Sequence, residues 1–109
     1  MKTSEYLGKA RDVLARGWCQ HDYANGEGGV CAYGALYAAA GVDVQSLDWD
    51  APAMEDATEF NAAADALQQK VTELGLRTII HFNDSETTTQ QDVLNLFDKT
   101  ISGLEEIGS

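Results

Sequence analysis

The sequence predicts a mainly α-helical protein, a small four-helix single domain with one short extended segment. Apolar residues recur at helical spacing in three long stretches, and a glycine follows each of the first three predicted helices. Only residues 77–82 combine β-branched and apolar side chains as a strand does. A chain of 109 residues has room for one hydrophobic core. We therefore expect one domain over 1–109, with its core at about 4–105.

The first helix is predicted over 4–16, and Gly17 ends it. Its apolar stripe consists of Tyr6, Leu7, Ala10, Val13 and Leu14. Residues 19–29 form a loop, because the Asn-Gly and Gly-Gly pairs in it favour turns. The second helix, over 30–40, is rich in alanine and carries no charge, which predicts burial at the centre of the fold.

Residues 42–55 are predicted to be irregular, with Pro52 in the first turn of a short helix that Asp50 caps. The third helix follows over 56–74. The extended segment 77–82 has 42–44 as its candidate partner in a minor two-strand pair. Thr89 and Asp92 have the spacing of a capping box and open the last helix, which runs to about residue 107.

The charge balance excludes two classes of partner. Seven Lys and Arg against eighteen Asp and Glu give a formal net charge of −11. A basic surface that would bind nucleic acid or an anionic membrane is therefore not expected. The N-terminus lacks the apolar core of a signal peptide, and no apolar run approaches the length of a membrane span. We expect a cytoplasmic protein, in a bacterial or an infected host cell, whose Cys19 and Cys31 stay reduced.

The acidity is concentrated in one segment, residues 17–69, which contains no Lys or Arg. Its nine acids are Asp22, Glu27, Asp43, Asp48, Asp50, Glu55, Asp56, Glu59 and Asp65. One interpretation is a solvated surface that maintains solubility. Another is an acidic face that docks on a basic protein partner, in one version by imitating the phosphates of DNA.

Cys31 is the one candidate nucleophile that the sequence places well. It follows a glycine-rich loop and starts a predicted helix, where free backbone N–H groups and the helix dipole would lower the pKa of a thiol. His81 would be the general base, with Asn83 or Asp84 orienting it and Gln20 donating to an oxyanion. The alternative is that Cys31 is a small core residue and that the Asn83-Asp84 pair forms a turn and caps free N–H groups.

Two other sets of side chains have a structural and a functional interpretation. Two thiols and two imidazoles can close a zinc site, but the spacing of Cys19, His21, Cys31 and His81 is poor for one, so we expect neither a metal nor a cofactor. The aromatic residues form either a pocket or interface hot spot, or part of the core. They are Trp18, Trp49, Tyr23, Tyr33, Tyr37 and Phe60.

Four short motifs give the chain a resemblance to a known family. They are Gly17-Trp18-Cys19-Gln20, Cys31-Ala32-Tyr33-Gly34-Ala35-Leu36, Phe82-Asn83-Asp84, and Thr89-x-x-Asp92-Val93-Leu94. In order and spacing, over residues 4–104, they resemble a domain of unknown function found in small proteins of Streptomyces and other actinobacteria and of actinobacteriophages, such as those that infect mycobacteria.

The resemblance implies which positions matter but no reaction. Those positions are Trp18, Gln20, Cys31, Gly34, Ala35, Asn83 and Asp84. His21 lies outside the shared pattern, other residue types are common at the position of His81, and the glycine-rich loop is shorter here than in such proteins. A zinc site or a Cys–His pair built on those histidines would therefore be particular to this chain.

Together these observations favour a non-enzymatic accessory protein, encoded by a phage, that binds a host or phage protein through the acidic segment 17–69. The alternatives are a small cysteine-dependent hydrolase or transferase centred on Cys31, and an acidic DNA mimic. We expect Gln20, Cys31, Asn83 and Asp84 to converge near the start of the second helix. The sequence leaves the oligomeric state open.

Overall fold

The computed structural model describes residues 1–46 and 57–109, and within them the chain is mainly helical, as predicted. Five α-helices are present in these ranges, rather than four. They are α1 (Thr3–Arg16), α2 (Ala32–Ala39), α3 (Thr58–Glu73), α4 (Ile79–Asp84) and α5 (Gln90–Glu106). The predicted short helix with Pro52 and Asp50, and Trp49 with it, lie outside the described residues.

The prediction of an extended segment at 77–82 is wrong for residues 79–82, which form the start of α4. Thr78, just before the helix, has extended backbone. Thr78 caps the helix by accepting the backbone N–H of His81 at 3.0 Å. Gln68 on α3 supports it further, accepting the N–H of Ile79 at 3.2 Å and donating to the carbonyl oxygen of Arg77 at 3.1 Å. Tertiary hydrogen bonds thus override the β propensity of this stretch.

The proposed partner strand 42–44 is also wrong, since Val44–Ser46 is a turn of 3₁₀-helix. In the described residues, strand-like pairing is confined to two isolated bridges at Val30, one parallel with Trp18 and one antiparallel with Ala24. These two bridges fold residues 17–31 back on themselves, and we call this segment loop 17–31. Gln45 holds this loop by accepting the N–H of Gly28 at 3.2 Å and donating to the carbonyl oxygen of Gly29 at 3.1 Å.

The core lies where α1 packs against α2, α3 and α5. The sequence placed the second helix at the centre, but α1 has the most extensive contacts, with α5 and then with α2. The largest side chains that are almost wholly buried include Leu7, Leu14, Leu36, Leu67, Val93 and Phe97. Arg11 joins α1 to α5 through two contacts to the carboxylate of Asp98, at 2.6 and 3.3 Å.

Two capping interactions fix helix ends in this core. Thr89 and Asp92 form the predicted capping box of α5, each accepting a backbone N–H from the other. At the C-terminal end of α2, the buried Tyr6 hydroxyl donates to the carbonyl oxygen of Leu36 at 2.6 Å. Of the helices in the described ranges, none has the combination of length and apolarity that crossing a membrane requires.

Candidate functional site

Asn83 lies at the junction of loop 17–31, the start of α2 and the end of α4. Its side chain is 1% exposed. Its Oδ1 accepts the indole N–H of Trp18 at 2.9 Å and the backbone N–H of Ala32 at 3.1 Å. Its Nδ2 donates to the carbonyl oxygen of Cys19 at 3.2 Å and to Asp84 Oδ1 at 2.9 Å. Both donors and both acceptor positions of the amide are therefore used, and they hold three segments together.

Gln20 and Asp84 complete the junction. The Nε2 of Gln20 donates to the carbonyl oxygens of Asn83 at 3.0 Å and Ser85 at 2.8 Å, at the C-terminal end of α4. Both of its amide hydrogens are thereby used, so neither is available for the predicted role as an oxyanion donor. Asp84 Oδ1 accepts the backbone N–H of His21 at 2.9 Å. Gln20 and Asp84 thus tie the loop to α4 rather than capping α2.

Cys31 is the N-cap of α2 and is 8% exposed; its Sγ accepts the N–H of Gly34 at 3.3 Å. Burial raises the pKa of its thiol, and the Asp84 carboxylate adds to the effect, whereas the backbone N–H groups of Gly34 and Tyr33 lower it in part. The predicted lowering of the Cys31 pKa is therefore wrong, because desolvation outweighs the helix N-terminus. Burial likewise raises the pKa of Cys19 to about 11.

Gly34 allows loop 17–31 to approach α2 closely. A Cβ at this position would lie 1.9 Å from the carbonyl oxygen of Tyr23, which accepts the N–H of Cys31 at 3.1 Å. Only glycine leaves room for that hydrogen bond. Ala35, the next motif residue, is fully buried in the core. These two motif positions are thus explained by packing.

A cavity of about 210 Å³ lies beside the junction, between loop 17–31, α2 and α4. Its polar and aromatic wall consists of His21, Asp22, Tyr23, Tyr33, Asn83 and Asp84, and its apolar wall of Ala24, Cys31, Ala32, Val44 and Ile80. The rim is open to solvent: the side chain of His21 is 73% exposed, and Ile80 is 52% exposed. The cavity therefore combines carboxylates, aromatic rings and an apolar surface.

In the described residues, no hydrogen bond joins Cys31 to His81, the predicted pair. His81 is exposed and is not one of the cavity residues. On α4, Ile80, Asn83 and Asp84 have the spacing that places side chains on one helix face, and His81 falls outside it. Because a strand was predicted here, this helical spacing was not recognised. Thr78, which caps the start of the helix, is the sequence signal that would have indicated it.

His21, rather than the predicted general base His81, lines the cavity. Its backbone has a φ of 71°, which is uncommon outside glycine. Its Nδ1 lies 3.9 Å from Asp84 Oδ2. In residues 1–46 and 57–109, no three His, Cys, Asp or Glu side chains are grouped closely enough to hold a metal ion. Both Cys19 and Cys31 are free thiols.

The aromatic residues divide between the core and the cavity. The rings of Tyr37 and Phe60 stack in the core with centroids 4.5 Å apart, and the edge of Tyr23 meets Tyr37 at 5.5 Å. Tyr23 and Tyr33 are half-buried and line the cavity, while Trp18 is held by Asn83. Both interpretations of the aromatic set thus apply, to different members.

The chain matches no curated protein and no solved structure. A sequence model of one family matches residues 1–102, and this range contains every residue of the junction and the cavity. The chain belongs to this family, the family of unknown function DUF6197.

Proposed function

We propose that this protein is a non-enzymatic accessory protein, encoded by a phage, that binds a basic surface of another protein through the acidic segment 17–69. The observation that supports this most is the exposure of the segment's carboxylates. All five that fall within the described residues are exposed, namely Asp22, Glu27, Asp43, Glu59 and Asp65. Exposed charge of one sign steers an oppositely charged partner and sets its orientation.

The distribution of the chain's own cations supports the same proposal. All seven Lys and Arg lie outside 17–69. Two of them pair with acids that also lie outside it, Arg11 with Asp98 and Lys70 with Glu73. Within the segment, Glu59 pairs with the N-terminal ammonium at 3.3 Å. Among the described residues, the carboxylates of Asp22, Glu27 and Asp65 therefore form no ion pair with Lys or Arg, and a basic partner would compensate their charge.

The geometry gives no comparable support to a hydrolase or transferase centred on Cys31. Its thiol is buried with a raised pKa, His81 is not among the residues that line the cavity with it, and the amide of Gln20 already donates two hydrogen bonds. An activated cysteine needs a base within reach and a thiolate that its surroundings favour. The DNA-mimic hypothesis stays a prediction, which competition between DNA and this chain for a captured partner would test.

The test is capture of partners from a mycobacterial lysate by the immobilised chain at about 0.05 M and about 0.5 M salt. We expect a protein partner that is retained at low salt and released at high salt. A triple variant, Asp22→Asn, Glu27→Gln and Asp65→Asn, should lose it. The matched control changes the net charge equally through exposed acids outside the segment, Glu86→Gln, Glu105→Gln and Glu106→Gln, and should retain the partner.

Solubility alone predicts a different result. If the acidic segment only keeps the chain soluble, no salt-sensitive partner is captured, or the triple variant and its control retain the partner equally. Either result contradicts the proposal.

A further inference from the structure

The cavity beside Asn83 has the size of one long amino-acid side chain. A cavity of about 150 Å³ holds a benzene molecule, which has six heavy atoms. The cavity here measures about 210 Å³ and therefore has room for a ligand of roughly eight heavy atoms. An arginine side chain and a butylguanidinium ion are both of this size.

The charged groups of the cavity favour a cation. Among its described lining residues, Asp22 and Asp84 supply carboxylates, and none is a Lys or Arg. Burial is the main cause of the raised pKa of the Cys19 thiol, and the carboxylates of Asp22 and Asp84 add to it, because they disfavour a second negative charge nearby. A positively charged group placed there would be stabilised for the same reason.

The Asp84 carboxylate is already oriented to pair with a cation in the cavity. Its Oδ1 is fixed by the backbone N–H of His21 and by Asn83 Nδ2, both at 2.9 Å. Its Oδ2 lies 3.9 Å from His21 Nδ1 and accepts no hydrogen bond within the described ranges, and the side chain is 25% exposed. A carboxylate held by two donors loses little conformational freedom when it binds, and a free oxygen atom remains for a third donor.

The uncharged walls suit the rest of an arginine side chain. The rings of Tyr23 and Tyr33 line the cavity, and guanidinium groups pack favourably on aromatic faces. Val44 and the 52% exposed Ile80 offer apolar surface to an aliphatic stem. A guanidinium is also more weakly hydrated than an ammonium, so it enters a partly buried site at a smaller desolvation penalty.

We propose that this cavity receives an arginine side chain of the protein partner, with the guanidinium paired to Asp84 and Asp22 and packed between the tyrosine rings. This inference rests on the proposed function and names the group by which the partner is anchored. It assigns a ligand chemistry to the family's motif residues: Asn83 and Asp84 would position the anchor site, and Gly34 would bring the loop close enough to form it.

The test is an NMR titration of the ¹⁵N-labelled chain with blocked arginine, N-acetyl-arginine N-methylamide. We expect shifts at the backbone amides of the cavity, such as Ala24, Ala32 and Asp84, with an affinity in the millimolar range typical of a single side chain. Blocked lysine should bind several-fold more weakly. N-butylurea, which is neutral and has a similar shape to butylguanidinium, should bind at least about tenfold more weakly than that ion.

Two variants test the contribution of each carboxylate to binding without disrupting the fold. Asp84→Asn keeps an oxygen for the N–H of His21 and should weaken binding about tenfold or more. Asp22 is exposed, so Asp22→Asn preserves the fold and should weaken binding several-fold. Glu105→Gln, an equal change of charge on the exposed surface of α5, should leave the affinity unchanged.

Several results would overturn the inference. Equal binding of N-butylurea and butylguanidinium would remove the charge argument, and so would wild-type affinity in both aspartate variants. Butylguanidinium binding about tenfold or more tightly than blocked arginine would indicate a small free cation instead of a partner's side chain. The lysate experiment is independent of these outcomes: loss of the partner in the triple variant would still support the proposed function if the titration failed.

Discussion

Replacing Asn83 by alanine removes all four hydrogen bonds of the amide that joins loop 17–31, α2 and α4. The indole N–H of Trp18, the N–H of Ala32 and the carbonyl oxygen of Cys19 then lose their partner. Each buried group left unpaired costs about 1–3 kcal/mol. Since the cavity beside Asn83 can admit water to some of them, we expect a loss of about 3 kcal/mol in the free energy of unfolding.

Urea unfolding at equilibrium, followed by far-UV circular dichroism, measures this loss. A drop of about 3 kcal/mol corresponds to a melting temperature lower by roughly 15 °C in a domain of this size. The matched control is Asn95→Ala. Asn95 is an exposed residue of α5 whose side chain accepts one surface hydrogen bond from Gln91, and its replacement should change stability by less than about 0.5 kcal/mol.

An isosteric variant tests which atom of the Asn83 amide accepts hydrogen bonds and which donates them. In Asn83→Asp, Oδ1 keeps its two donors, but the second oxygen faces the carbonyl oxygen of Cys19 and the carboxylate of Asp84. We expect this variant to be destabilised relative to wild type near pH 7 and less so near pH 4, where the new carboxyl group takes up a proton. If Asn83→Ala and Asn95→Ala lose stability equally, the junction described here does not hold the segments together.

Three further predictions test a buried hydrogen bond, a close backbone approach and the shielding of one thiol. Tyr6→Phe should cost about 1–2 kcal/mol, because the carbonyl oxygen of Leu36 loses its buried donor; urea unfolding measures it, and no change would contradict that contact. Gly34→Ala should cost about 3 kcal/mol or more, because its Cβ would lie 1.9 Å from a loop carbonyl oxygen. Gly8→Ala in α1, whose Cβ would meet nothing within 4 Å beyond the neighbouring backbone of its own helix, should gain up to about 1 kcal/mol. Similar effects in the two variants would refute the close approach. With its pKa raised to about 11, Cys19 should react with iodoacetamide near pH 8 roughly a hundredfold more slowly than an unperturbed thiol. Reaction at the free-thiol rate would show that the half-buried Cys19 is not shielded from solvent. The stability that this thiol contributes should be complete below about pH 9 and fall as the pH rises toward 11, because the thiol of the unfolded chain ionises first.

Local signals in the sequence were sufficient for the long helices. Apolar spacing located α1, α3 and α5 to within about three residues, and the Thr89–Asp92 capping box is present as predicted. In these stretches propensity, capping and burial agree, so the sequence pattern and the fold coincide. The position of Cys31 at the start of α2 was predicted for the same reason.

Such local signals did not predict the six-residue helix α4, because side chains that are distant in the sequence stabilise it. Ile79 and Ile80 favour a strand, yet Gln68 and Asn83 bind this segment to α3 and to loop 17–31. Predicting a strand here also affected the choice of site residues. In a strand, His81 would lie on the same face as Asn83, whereas the helix brings Ile80 and Asp84 to the cavity. A side chain's direction could not be predicted while the element type was wrong.

The pKa of Cys31 illustrates a second limit. The sequence shows a helix N-terminus, which lowers the pKa of a thiol, and it led us to expect Asp84 near Cys31. It does not show how deeply the sulfur is buried. Burial raises the pKa and dominates, and the Asp84 carboxylate adds to it.

The salt dependence of affinity for a captured partner tests the central claim most directly. Titrating that partner against the wild-type chain, the triple variant of the acidic segment and the triple variant of Glu86, Glu105 and Glu106 gives three slopes of log affinity against log salt. We predict a steep slope for wild type and the control, and a shallow slope with weaker binding for the variant of the acidic segment. Equal slopes for all three chains would contradict the claim that residues 17–69 form the binding surface.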